Sequence, residues 1–171
     1  MSANVSARLD PLRWLGLPLL ACAAASLVLA TPIRLFGLQL PEPVFAMVPA
    51  FAWAMIRPSV LPAFALFALG LFLDLLWGAP LGLWPLVLLA AYAPTLIGRS
   101  FVAGQEFIVQ WAWYGAACAV GLGAGWLFML VHSGEAASFV GLFWQFVVSA
   151  ALFPLAWRLI VAFEDADVRF R

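Results

Sequence analysis

Short polar breaks divide the sequence into six apolar runs, approximately 14–31, 44–56, 60–77, 81–98, 107–131 and 136–157. That division constrains the fold more than any other feature. A helix needs about 20 apolar residues to cross a bilayer, within a range of about 17–25. Every run except the second reaches that range. In lipid the backbone must satisfy its own hydrogen bonds, and no alternating strand pattern is visible, so the runs read as helices. The intervals between them never exceed roughly a dozen residues, too few for a soluble domain outside the membrane. With 67% apolar and only 9% charged residues, the chain could not coat a soluble domain, which needs about a quarter charged. The expectation is an all-α integral membrane protein, a single transmembrane domain over 1–171 with about six transmembrane helices in one compact bundle.

The second run has about 13 uninterrupted apolar residues, a length that also suits a re-entrant segment. It reaches spanning length only by drawing in Leu38 to Pro43, which include Gln39 and Glu42. Orientation follows from the arginines, which are concentrated on cytoplasmic loops. Six spans with the N-terminus inside place Arg8, Arg13, Arg57, Arg99, Arg158, Arg169 and Arg171 in the cytoplasm and leave Arg34 outside, seven against one. Five spans, with the second run not crossing, give six against two and an external N-terminus. Both place residues 158–171 in the cytoplasm as a short solvated tail. The tryptophans fit the six-span boundaries: Trp14, Trp53 and Trp157 near inner ends, Trp77, Trp84 and Trp144 near outer ones. Arg8 and Arg13 followed by an apolar stretch and Ala21-Cys-Ala-Ala-Ala-Ser26 resemble a signal peptide, but the run continues to Ala30, longer than the usual signal core, which favours a retained first span.

Few residues could carry chemistry. The 8 basic residues are all arginine and balance 8 acidic ones, so charge points to no nucleic acid. Cys22 and Cys118 lie inside apolar runs and read as small buried hydrophobes. One histidine cannot make a zinc site, and His132 with Ser133 and Glu135 reads as a solvated turn. No cofactor is expected, nor paired carboxylates for catalysis. Asp74 is the one acid well inside an apolar run, where an ionisable group costs about 2.5–3.5 kcal/mol at the helix centre. It lies near an outer end, where water would lower that cost. Gly70, Asp74 and Gly78 are four apart and share a helix face. Two readings follow: an ion or substrate site, or a buried clasp between helices with Trp84, Tyr92, Tyr114 or Gln145 as donor. Gly121-Leu-Gly-Ala-Gly125, extended by Ala117, is a small-residue face suited to close internal helix packing.

From Val48 to Gly82 the chain resembles the rod shape-determining protein MreD family. The resemblance rests on Pro49, Trp53 and Arg57-Pro58 in a Pro-x3-Trp-x3-Arg-Pro arrangement, then Gly70-Leu71 and Asp74 in Gly-Leu-x-x-Asp. Gly78, Pro80-Leu-Gly82 and Leu83-Trp-Pro-Leu86 follow. The resemblance implies a bacterial inner-membrane scaffold of the cell-elongation machinery, without catalysis, associated with MreC, MreB, RodA and a penicillin-binding transpeptidase. It also implies a fold similar to the substrate-binding subunits of energy-coupling-factor transporters. The alternative expectation is a substrate-binding or transport subunit for a small molecule, with Asp74 in the site.

Overall fold

The computed structural model describes residues 15–29, 34–35, 38–39, 45–56, 59–134 and 138–168, with side chains described as far as Val161. Arg57 and Pro58, Trp14, Glu135 and the terminal arginines lie outside the described residues. The helices are α1 (Leu17–Leu29), α2 (Met47–Ile56), α3 (Val60–Trp77), α4 (Leu83–Val102), α5 (Phe107–Ser133), α6 (Phe139–Ala151) and α7 (Phe153–Val168). Between α1 and α2, where no strand pattern is legible, two two-residue strands, β1 (Arg34–Leu35) and β2 (Leu38–Gln39), pair antiparallel with Arg34 opposite Gln39.

Four stretches are long and apolar enough to cross a membrane: Val60–Trp77, Leu83–Val102, Phe107–Ser133 and Phe139–Val161. The chain is therefore a helical membrane protein by the length and composition of its helices. Leu17–Leu27 and Met47–Ile56 are shorter apolar helices. At 1.5 Å per residue, α2 is about 15 Å long, half the thickness of the hydrocarbon core.

That short helix is also the most enclosed element. Every residue from Met47 to Met55 is buried. A helix apolar on all sides is either enclosed in protein or set in a membrane, and α2 lies against α4 and α7, with smaller contacts to α3 and α5. Alanines 46, 50, 52 and 54 let neighbours approach closely, while Phe51 and Trp53 fill the remaining volume. Phe51 meets the Tyr114 ring edge-on at 5.3 Å and the Phe153 ring at 6.2 Å. Trp53 is 1% exposed, so it is a core residue and not the interfacial tryptophan its place in the sequence suggests.

Helices α4 and α5 form the most extensive pair, and small residues let them approach closely. A β-carbon on Gly121 would stand 2.7 Å from the Val87 carbonyl oxygen, and one on Gly125 would stand 2.6 Å from Val87 Cγ2. The Ala117, Gly121 and Gly125 face thus packs internally, as its spacing suggests. At the other end of the pair, Gly98 lies beneath the Trp113 ring.

The sixth apolar run is not one regular helix. It breaks at Leu152, between α6 and α7, because Pro154 has no N–H for the Ala150 carbonyl and its ring crowds that oxygen. The backbone tightens instead into i→i−3 bonds, Leu152 N–H to Ser149 O at 3.1 Å and Leu155 N–H to Leu152 O at 2.9 Å. Helix α7 then continues to Val168, so the segment from residue 158 is helical over most of its length.

Candidate functional site

Gly70, Asp74, Gly78, Pro80 and Gly82 converge where α3 turns into α4, and Asp74 is the hub. Helix α3 ends at Gly78, whose φ of 63° places it in the left-handed region that glycine adopts without strain. From there the N–H groups of Gly78 and Ala79 both donate back to the Asp74 main-chain oxygen, the latter at 2.9 Å. This closure of the Schellman type satisfies carbonyl capacity that a helix end leaves open.

The Asp74 side chain serves the next helix. Its Oδ2 accepts from the Gly82 N–H at 2.7 Å and its Oδ1 from the Trp84 N–H at 2.9 Å. The first four N–H groups of a helix have no partner inside it. At α4 all are accounted for. Leu83 N–H donates to Pro80 O at 3.1 Å, Leu86 N–H reaches Gly82 O at 3.1 Å, and Pro85 has no N–H to satisfy. One residue therefore terminates α3 with its backbone and starts α4 with its carboxylate.

The electrostatics favour this placement. Asp74 is 1% exposed, so water does not lower the cost of the acid, contrary to the expectation from its position near a helix end. The compensation comes from two short hydrogen bonds and from the positive end of the α4 dipole. The donors also differ from the side chains expected. Trp84 contributes its main-chain N–H, while the Tyr92 hydroxyl, midway along α4, donates to Ser59 O at 3.2 Å, just before the start of α3. Tyr114 stands in the aromatic core, and Gln145 lies half-buried on α6.

Gly70 explains how the two helices come close enough. A β-carbon there would lie 2.4 Å from the Pro85 nitrogen and 2.6 Å from its Cα, backbone atoms that cannot move aside. Trp77 and Trp84 cover the turn, their rings meeting edge-on at 4.9 Å. Gly82, with φ of 98°, gives the chain its last bend before α4. Pro49 and Trp53 are buried in α2 rather than in this turn.

The arrangement is suited to holding two helices together, with Asp74 buried and both of its carboxyl oxygens engaged by main-chain N–H groups. Among the described residues, no group of three or more His, Cys, Asp or Glu side chains could hold a metal ion. Cys22 and Cys118 are buried free thiols, and the Cys22 Sγ donates weakly to Phe45 O at 3.6 Å. His132 stacks on Phe128 with ring centroids 5.7 Å apart, at the exposed end of α5.

Sequence reasoning missed a second polar junction. The Trp111 indole donates through Nε1 to the Ala150 carbonyl at 3.0 Å, and this is the oxygen that Pro154 leaves without its helical partner. The spacing of Ala150 and Pro154 could have revealed the orphaned carbonyl, but nothing in the sequence assigns Trp111 to it.

No family model matches the chain, and no curated protein or solved structure matches it significantly.

Proposed function

We propose that this chain is a non-catalytic membrane scaffold of the bacterial cell-elongation machinery, acting through its lipid-facing surfaces and short ends. The observation that carries the reading is the complete engagement of Asp74. The one acid of the Gly-Leu-x-x-Asp motif has both oxygens on main-chain N–H groups and is shut off from solvent. The motif that resembles the MreD family is, in these terms, a device for building a helical hairpin. A substrate-binding or transport subunit using Asp74 as a ligand would have to uncap α4 at each binding event. Leaving two N–H groups unpaired in hydrocarbon costs several kcal/mol each.

The proposal includes six spans in the inner membrane, with both termini in the cytoplasm. MreC, MreB, RodA and a penicillin-binding transpeptidase are the proposed partners, as the family resemblance implies. The test is co-purification with MreC from membranes, combined with depletion in the native cell. Enrichment of MreC and rounding of depleted cells are expected. Normal rods after clean deletion, with no redundant copy, would sink the proposal.

A further inference from the structure

The α6–α7 break combines three features that no account of a rigid bundle requires. Helix α7 is anchored: Phe153, Ala156 and Ile160 are essentially inaccessible, and Phe153 packs against Phe107 at 5.0 Å, Tyr114 at 5.6 Å and Phe51 at 6.2 Å. Helix α6 is not. Ser149, in its last turn, is its only buried residue, and its main neighbour is α5. Between α5 and α6 lies an open apolar cavity of about 240 Å³, bordered by Ala119, Leu122 and Gly123 on one side and Phe139, Phe143 and Phe146 on the other.

We infer that α6 is a hinged arm that pivots at residues 150–154 and is latched against α5 by the Trp111 indole. The hinge follows from Pro154, which removes the i→i−4 bond at the junction. The latch follows from the carbonyl that Pro154 strands. Ala150 O receives the Trp111 N–H from across the α5–α6 seam, and from its own helix end the Leu152 N–H reaches it at i→i−2, shared with Ser149 O. Swinging α6 away breaks the indole bond and leaves that oxygen poorly satisfied in an apolar setting, which holds the arm closed. Removing the indole N–H weakens the closed state alone, so the open population rises. Restoring an N–H at position 154 satisfies Ala150 O within one continuous helix, and the indole becomes redundant.

The experiment is a set of spin-label distance measurements on the full chain in lipid nanodiscs, with Cys22→Ala and Cys118→Ala as background. One label at exposed Leu75 on α3 is paired with Val140→Cys on α6 or, as a control, with Leu155→Cys on α7. A 13-residue arm is about 20 Å long. A rotation of roughly 15° therefore displaces its far end by about 5 Å. Trp111→Phe is expected to add a component displaced by about that distance to the Leu75–Val140 distribution and to leave Leu75–Leu155 unchanged. Pro154→Ala is expected to narrow the Leu75–Val140 distribution, and adding Trp111→Phe to it should change nothing further. An unaltered Leu75–Val140 distribution in Trp111→Phe would overturn the inference. So would equal movement of both pairs, or an undiminished Trp111→Phe effect in the Pro154→Ala background.

Discussion

The Asp74 carboxylate holds the Trp84 main-chain N–H at 2.9 Å, ten residues further along the chain, and so decides where α4 begins. Its second oxygen takes the Gly82 N–H at 2.7 Å, and its own carbonyl takes the two N–H groups that follow α3. The turn between two membrane-length helices is thereby closed by main-chain N–H groups gathered on one acid. An acid in this position acts on the backbone, and its loss is felt first as lost helix pairing.

Gly70 and Gly123 provide a matched pair of substitutions. Alanine at Gly70 would drive its methyl into the Pro85 backbone, whereas a β-carbon at Gly123 meets nothing within 4 Å. Gly70→Ala should lower stability in detergent by about 1–3 kcal/mol, the usual range for overpacking, or prevent assembly. Gly123→Ala should be neutral or slightly stabilising, because alanine is the better helix former by about 1 kcal/mol. Thermal unfolding followed by size-exclusion chromatography separates the two.

Gly78 is expected to resist substitution for a different reason. No atom lies within 4 Å of a β-carbon built there, but its φ of 63° is costly for any residue with a side chain. Gly78→Ala should cost about 1–2 kcal/mol through backbone strain alone. Gly78→Asn should recover part of that loss, since asparagine tolerates the left-handed region best after glycine. Equal stabilities for the two variants would argue against a strained turn.

The α4–α5 seam predicts a sharp size limit at Gly121. A β-carbon there already approaches the Val87 carbonyl at 2.7 Å, the Met47 methyl at 3.0 Å and Ala91 Cβ at 3.1 Å. Gly121→Val should separate α4 from α5 and abolish recovery of monodisperse protein. Gly115→Val on the same helix, where the nearest atom is the flexible ring of Phe146 at 3.9 Å, should be recovered.

Topology turns on α2. A helix of 10 residues spans about half the hydrocarbon core by itself, so crossing requires help from the chain before it. With six spans the N-terminus is cytoplasmic. A Ser2→Cys variant lacking Cys22 and Cys118 should then resist a membrane-impermeant thiol reagent in intact spheroplasts and react after lysis. Labelling before lysis would show that α2 does not cross.

Much of this was legible in the residues, and the failures have physical causes. Run three was readable to the residue, Val60–Trp77, because Pro62 can be accommodated in a first turn and Gly78 supplies the stop. Asp74 was identifiable as the costly acid, and a clasp between helices was one of its two readings. Its partners were not identifiable, because any residue can supply a backbone N–H and side-chain identity carries no record of it. Trp53 illustrates a second limit. A tryptophan near a run's end suits the membrane interface, but three-dimensional packing placed the whole of α2 inside the bundle. The last run was read as a single span over 136–157 with Pro154 passed over, and only the fold could bring Trp111 to the oxygen that Pro154 orphans.

Asp74 clamps α3 to α4, and the proposed scaffold is built around that clamp. The most direct measurement is thermal unfolding of Asp74→Asn against wild type in one detergent, with tryptophan fluorescence as the probe, since Trp77 and Trp84 cover the turn. Asparagine keeps one acceptor but turns an amide donor toward a backbone N–H, so at least one of the two hydrogen bonds is lost. Hydrogen bonds to charged groups contribute about 1.5–3 kcal/mol each. The account predicts a midpoint lowered by several degrees and no co-purifying small molecule in either protein. An unchanged midpoint, together with a small molecule bound by wild type and lost from Asp74→Asn, would contradict it.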